Sequence, residues 1–169
     1  MDNLIAQGKA KPMIIVMPYA NTAPATGTSF TDDLTKDIIP FTEQHYRVIA
    51  DREQRAIAGF SRGGGQTLSA GLPNADLFSY VCAMAPASNS QEFEKSFTDR
   101  KPDPADLNKK LKLLWISCGT EDSLFERVKG FVGILDKFNI KHETFFPTGG
   151  HTWMNCKLYI STVAPRLFQ

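Results

Sequence analysis

Ala56-Ile-Ala-Gly-Phe-Ser-Arg-Gly63 is the stretch of sequence from which the fold can be predicted. Its first four residues form a short apolar run typical of a buried strand, and the small residues from Gly63 to about Leu72 favour a helix. Gly-x-Ser-x-Gly between a strand and a helix is the pattern of a nucleophile elbow, a turn so tight that the neighbours of the serine must be small. The pattern therefore predicts Ser61 as a nucleophile.

The same elbow predicts where negative charge can be stabilised. The serine hydroxyl would stand at a helix N-terminus, where backbone N–H groups and the helix dipole favour a developing negative charge. The backbone N–H of Arg62 is the predicted oxyanion donor, and Gly64 and Gly65 are expected to let the helix pack close to the sheet. A pattern of three fixed positions also occurs by chance, so the interpretation depends on the strand before it and the helix after it.

Apolar runs and helical patterns alternate along the whole chain. Strands are predicted within Pro12–Met17, Ala56–Gly59, Leu77–Ala85, Lys112–Cys118 and His142–Phe146, and helices over Phe30–Tyr46, Gly63–Leu72, Val128–Phe138 and Leu158–Phe168. This alternation predicts an α/β fold with a mainly parallel sheet of about five strands, flanked by helices on both faces. Because no internal repeat or low-complexity tract interrupts it, we expect a single domain over residues 1–169.

Ligands of such sheets bind beyond the carboxyl ends of the strands, and one serine, one aspartate and one histidine follow predicted strands in that order. A serine is a poor nucleophile by itself and needs a histidine base that a carboxylate orients. His151, after Gly149-Gly150, is the predicted base, and Asp122 is the predicted carboxylate. This chain order is the one found in α/β-hydrolases.

Other residues compete for these two roles. His45 lies in a predicted helix and His142 at the beginning of its strand, so both are expected to be surface histidines. Glu121 could replace its neighbour as the carboxylate, although adjacent loop residues point in different directions. Asp122 itself could simply cap the helix that follows.

Composition excludes several classes of protein. The chain is 42% hydrophobic and 22% charged with a formal net charge of +1, which indicates a globular protein without the basic surface that nucleic acid requires. Its apolar runs, such as Met13–Met17, are far shorter than the roughly 18 residues of a membrane helix. Three widely spaced cysteines and three histidines without metal-ligand spacing predict buried thiols and no metal site.

Residues Asp51–Thr67 resemble the esterase-D-like group and, more narrowly, the feruloyl and acetyl-xylan esterases of carbohydrate esterase family 1. Asn3–Val16, Ser117–Leu124 and Gly149–Trp153 resemble further segments of that family in the same order. The resemblance implies an α/β-hydrolase that cleaves a short-chain or feruloyl ester of a carbohydrate through an acyl-enzyme, with no cofactor. It also implies a secreted or periplasmic location, although the first residues show no signal peptide.

The resemblance carries roles over to individual positions. It implies Ser61 as nucleophile, His151 as general base and then acid, and Asp122 as the orienting carboxylate. Trp153 is expected at the mouth of the site, where it and Tyr19 would bind substrate, although Trp153 could equally be a buried core residue. At the position after the nucleophile, arginine replaces the methionine expected from the family, which would alter the wall of the acyl pocket.

The family also implies a segment that this sequence does not contain. Its second oxyanion donor comes from a loop after an earlier strand, typically opening with His-Gly, and no such strand precedes Met1. We therefore expect an N-terminally truncated sheet and, because losing one donor costs about 10²–10³ in rate, a weak esterase. Either the Pro12 strand closes directly onto the nucleophile strand or a second copy of the chain covers the exposed edge.

Two other functions fit the same residues. An acyltransferase uses the same triad but passes the acyl group to a sugar instead of water. A carbohydrate-binding or interaction module could have kept the elbow without a working oxyanion hole. Sequence alone does not separate these alternatives from an esterase, because they differ in the acceptor site and in the missing donor.

Overall fold

Four parallel strands form one sheet in residues 1–19 and 30–169, the parts of the chain that the computed structural model describes. The strands are β1 (Ala56–Phe60), β2 (Tyr80–Met84), β3 (Leu113–Ser117) and β4 (Glu143–Phe145), and they pair in the order β1-β2-β3-β4. The register joins Phe60 to Met84, Met84 to Ser117 and Ser117 to Phe145. The carboxyl ends of all four strands therefore lie at one edge of the sheet.

Helices connect the strands. They are α1 (Asp2–Ala6), α2 (Phe30–Asp32), a π-helical turn (Asp33–Ile38), α3 (Ile39–His45), α4 (Arg62–Gly71), α5 (Ser90–Thr98), α6 (Pro104–Lys110), α7 (Phe125–Lys137) and α8 (Trp153–Val163), with 3₁₀ turns at Arg52–Gln54 and Ala164–Arg166. The expected α/β class is thus confirmed. The single helix predicted over 30–46 is a continuous helical segment with a π turn before Pro40, a residue that has no backbone N–H to donate.

The two faces of the sheet bury alternate residues of the central strands. Val81 and Ile116 face a large cluster with α4, α5, α6 and α7, whereas Tyr80 and Trp115 face a smaller cluster with the end of α8. Every residue of β2 and β3 is buried, since helices cover both faces. This burial explains why these strands are apolar runs rather than alternating patterns.

The strand predicted within Pro12–Met17 is wrong. Residues 12–17 form no strand, and Ile14, Ile15 and Met17 are 52%, 52% and 88% exposed, although Met13 packs against the smaller cluster. An apolar run becomes a strand only where a neighbour offers hydrogen bonds, and β1 pairs in the described residues with β2 alone. The expected closure of this run onto β1 is therefore also wrong, and coverage of the edge by a second copy stays a prediction.

The helices α1, α5 and α6 were not predicted, although start signals for α5 and α6 are present. Asn89 accepts a hydrogen bond from the N–H of Gln91 before α5, and Asp103 accepts one from Ala105 before α6, whose first residue is a proline. The last helix begins five residues earlier than expected, because Thr152 caps it. In the described part of the chain, no helix is long and apolar enough to cross a membrane.

The position of α7 against the sheet predicts which of its residues support the fold. Leu135 is fully buried, so Leu135→Ala should lower the free energy of unfolding by about 2–5 kcal/mol in urea titrations. The neighbouring Ile134→Ala, at a partly exposed position of the same helix, should cost less and serves as the control. Equal losses for the two variants would contradict this packing of α7.

Candidate active site

The turn between β1 and α4 holds Ser61 in a conformation that few residues other than glycine adopt. Its φ is 59° and its ψ is −118°. The Ser61 N–H donates to the carbonyl of Met84 at 2.9 Å, and the Ser61 carbonyl accepts from Gly65 at 3.1 Å and from Ala87 at 3.0 Å. These three bonds connect the turn to the end of β2 and to the first turn of α4.

Close packing around this turn requires glycine at Gly59, Gly64 and Gly65, where a Cβ would lie less than 3.0 Å from a backbone carbonyl oxygen. A Cβ at Gly59 would lie 2.3 Å from the Gly63 carbonyl oxygen, and a Cβ at Gly64 would lie 2.8 Å from the carbonyl oxygen of Met84. Gly64 thus lets α4 approach the sheet, as expected. Gly63, by contrast, has open space where a Cβ would be, so contact does not explain the second glycine of the motif.

The structure brings the three predicted residues into one chain of hydrogen bonds. His151 Nε2 lies 2.8 Å from Ser61 Oγ, and His151 Nδ1 lies 2.7 Å from Asp122 Oδ2. Because a carboxylate can only accept, Nδ1 carries the proton and Nε2 is left to accept the serine hydroxyl. The arrangement can draw a proton from Ser61 onto the imidazole.

Asp122 is held on both of its oxygens. Its side chain is fully buried, and Oδ1 accepts the backbone N–H of Leu124 at 2.9 Å while Oδ2 faces His151. It therefore caps the turn before α7 and contacts the histidine at the same time. The two roles considered for Asp122, orienting carboxylate and helix cap, are thus compatible. Glu121, the rival carboxylate, is exposed.

The other two histidines lie in local contacts. Nδ1 of His45 is 2.8 Å from the Phe41 carbonyl, and Nδ1 of His142 is 2.8 Å from the Ile140 carbonyl. His45 is exposed, as expected, whereas the side chain of His142 is only 11% exposed and is not a free surface group. Neither histidine joins the hydrogen-bond chain around Ser61.

Phe60 is a site residue that was not predicted from the sequence. Its ring stacks on that of His151 with centroids 4.5 Å apart and an interplanar angle of 24°. The opposite neighbour of the nucleophile, Arg62, is the first residue of α4, so its backbone N–H belongs to the helix N-terminus as expected. The position of Phe60 directly before the nucleophile could have marked it as a site residue. Its stacking on His151, however, depends on where the loop after β4 places the imidazole.

Trp153 lies beside this stack and is not a core residue. The centroid of its ring lies 5.8 Å from the ring centroid of Phe60. The residue stands at the start of α8 and is 79% exposed. It also borders a cavity of about 660 Å³ between α8 and α1. Tyr19 is 83% exposed and directly precedes the undescribed residues 20–29, so its contact with substrate stays a prediction.

The buried cysteines have raised pKa values. Burial raises the pKa of Cys118 to about 12, and the negative charge of Asp122 adds to this effect. Burial also raises the pKa of Cys82 to about 12. All three cysteines are free and buried, as the sequence predicted. No thiolate therefore competes with Ser61 as a nucleophile at neutral pH.

The chain is similar to known esterases in both its family-model match and its curated relative. Residues 1–155 match the family model described as "Putative esterase". The chain is 29% identical over 178 residues to an endo-1,4-beta-xylanase/feruloyl esterase of Xylanibacter ruminicola, a match that covers all of this chain and 23% of that protein. The chain thus spans less than a quarter of the length of this curated relative.

Two solved structures are similar over nearly the whole chain. A ferulic acid esterase is 28% identical with a TM-score of 0.86, and the match covers 98% of this chain and 74% of the other. A CE1 ferulic acid esterase of Anaeromyces mucronatus, in complex with ferulic acid, is 26% identical with a TM-score of 0.78, covering 98% and 69%.

The backbone at the elbow generates a prediction about stability. A non-glycine residue in this region costs about 1–3 kcal/mol, whereas glycine adds only about 0.5–1 kcal/mol of chain entropy cost. Ser61→Gly should therefore have a free energy of unfolding about 1 kcal/mol above that of Ser61→Ala, which also lacks the hydroxyl. Urea denaturation of the two variants would refute the strained turn if Ser61→Ala were as stable as Ser61→Gly.

Proposed function

Because this chain belongs to the esterase family whose model it matches and has the α/β-hydrolase fold, we propose that it is a serine carboxylesterase. Its proposed substrates are feruloyl or short-chain acyl esters of carbohydrate. The observation that carries the proposal is the Ser61–His151–Asp122 chain of hydrogen bonds, with distances of 2.8 and 2.7 Å.

The proposed reaction has two halves. Ser61 Oγ attacks the ester carbonyl while His151 Nε2 takes the hydroxyl proton, and the tetrahedral intermediate collapses when His151 returns that proton to the departing alcohol oxygen. Water then attacks the acyl-enzyme, again losing a proton to His151, and the acid leaves as Ser61 regains its proton. No cofactor enters either half.

Asp122 supports both halves through the histidine. A buried carboxylate on Nδ1 fixes the tautomer in which Nε2 is a base, and it stabilises the imidazolium that forms. Its second oxygen is held by the N–H of Leu124, so the carboxylate cannot rotate away without losing that bond. The stacked ring of Phe60 keeps the imidazole from tilting out of line.

The negative charge of the intermediate needs donors near Ser61. We assign the first of these to the backbone N–H of Arg62, since it belongs to the first turn of the ten-residue helix α4. The turn at Ser61 sets this group beside the nucleophile, so the donor is in place before substrate binds. Such preorganisation is what makes an oxyanion donor effective.

The proposed substrate class rests on the relatives and on one exposed side chain. The printed names of the similar proteins include feruloyl esterase and ferulic acid esterase, and one of them binds ferulic acid. In this chain Trp153 offers an exposed indole beside the Phe60–His151 stack. Aromatic rings favour offset or tilted contacts with such a surface.

Removal of the nucleophile tests the proposal. Ser61→Ala should reduce hydrolysis of p-nitrophenyl butyrate by about 10⁴-fold or more, since the rest of the site is no substitute for the attacking oxygen. Ser161→Ala, which removes an exposed hydroxyl from α8, should leave the rate unchanged. Equal rates for wild type and Ser61→Ala would refute the esterase proposal.

Product analysis with a sugar acceptor separates the esterase from the acyltransferase. With methyl ferulate and added xylose or xylo-oligosaccharide, an esterase should release free ferulic acid at an unchanged yield. Acylated sugar as the main product would instead identify a transferase.

Trp153 is expected to contribute to the preference for an aromatic acyl group. If the indole contacts the feruloyl ring, Trp153→Ala should raise KM for methyl ferulate about 2–13-fold, as a ring contact of about 0.5–1.5 kcal/mol requires. KM for p-nitrophenyl acetate should hardly change. Met154→Ala, at the neighbouring exposed position, is the control. An equal effect of Trp153→Ala on both substrates would contradict this role.

A further inference from the structure

Helix α8 faces the site through two buried polar side chains that are one helical turn apart. Asn155 is 9% exposed and Tyr159 is fully buried. The Asn155 Nδ2 donates to the Tyr159 hydroxyl at 3.3 Å, which joins the two side chains. Burying polar groups costs free energy unless they form hydrogen bonds. The hydrogen-bond partners of Asn155 and Tyr159 therefore identify the segments that the two side chains hold.

Asn155 contacts the loop that carries the histidine. Its Nδ2 donates to the carbonyl of Thr148 at 3.1 Å, three residues before His151. Its backbone N–H donates to the hydroxyl of Thr152, the residue after His151, at 3.3 Å. One side chain and its own backbone therefore hold the histidine loop on both sides of His151.

Tyr159 contacts the loop that carries the aspartate. The backbone N–H of Gly119, three residues before Asp122, is close enough to the Tyr159 hydroxyl to lower the pKa of that phenol. Burial raises the pKa of Tyr159, and the hydrogen bond from Asn155 and the nearby N–H of Gly119 oppose that rise. The phenol is consequently a neutral hydrogen-bonding group at physiological pH.

The two loops and the Asn155 amide are packed without spare room. A Cβ at Gly119 would lie 1.9 Å from the carbonyl oxygen of Gly149 and 2.6 Å from Asn155 Nδ2. The loops also bond to each other, since the Glu121 N–H donates to the Gly149 carbonyl at 3.1 Å. A shift of Asn155 would move both loops.

We propose that Asn155 and Tyr159 are positioning residues that set the distance between Asp122 and His151. The proposal rests on the esterase function proposed above. Neither side chain touches a reacting atom; they act by holding the two loops together, so that His151 reaches Ser61 and Asp122 at the same time. Errors of about 1 Å in such geometry cost on the order of 10²-fold in rate.

Tyr159→Phe is the sharpest test, because it removes the hydroxyl and keeps the ring that packs near Phe60 and Phe145. We expect kcat for p-nitrophenyl butyrate to fall about 10-fold with KM unchanged, the size of effect typical of a supporting hydrogen bond. Asn155→Ala should act in the same direction and provides a second variant if one of them folds poorly. Thr162→Val, which removes an exposed hydroxyl from the same helix, is the control.

A spectroscopic readout makes the test independent of turnover. The Nδ1 proton of His151, hydrogen-bonded to Asp122, should give a downfield ¹H resonance in wild type, in Ser61→Ala and in Thr162→Val, and this resonance should move upfield or broaden in Tyr159→Phe and Asn155→Ala. An unchanged resonance with unchanged kcat in both variants would overturn the proposal. So would a loss of kcat that follows only a lower melting temperature while the resonance stays in place. Equal activity of wild type and Ser61→Ala would instead refute the esterase function, and the resonance would still report on the positioning.

Discussion

The turn at Ser61 is the constraint around which the other parts of the site are arranged. It holds a non-glycine residue at a φ of 59°, a conformation that persists only where surrounding bonds outweigh its cost. Here the backbone of Ser61 bonds to Met84, Gly65 and Ala87, and so depends on β2 being beside β1 and on α4 lying close to the sheet. A serine oxygen presented at a helix N-terminus is the result.

The parallel sheet brings the partners of this serine to it. Ser61 follows β1, Asp122 lies beyond β3, and His151 lies beyond β4, so all three stand at the same edge. Proximity in a sheet does not by itself fix side chains to within hydrogen-bond distance. That precision comes from the bonds between the two loops, and in our proposal from the Asn155–Tyr159 pair on α8. The chemistry thus depends on a helix that contributes no reacting group.

Most of the fold and the spacing of the site could be predicted from local patterns. The buried strands β2 and β3 are apolar runs, and the Gly-x-Ser-x-Gly motif stands between a strand and a helix as expected. Pro12–Met17 is apolar too, but whether such a run becomes a strand depends on a pairing partner, which its own residues do not encode. Trp153 illustrates the same limit, since its exposure follows from where Thr152 starts α8.

Supporting residues were harder to predict than the residues they support. Asn155 and Tyr159 look like ordinary helix positions, and their importance arises from which loops the helix reaches after folding. Phe60 was next to the nucleophile, yet its stacking on His151 needs a contact 91 positions along the chain. Contacts between distant segments carry no local periodicity, so they become visible only in the structure.

Covalent trapping of the nucleophile tests the central claim most directly. Wild-type protein treated with a fluorophosphonate probe, then digested and analysed by mass spectrometry, should carry one adduct on the peptide that contains Ser61. The adduct should form much more slowly in His151→Ala, because the serine loses its base. Labelling of another residue, or labelling of Ser61 that does not depend on His151, would contradict the account.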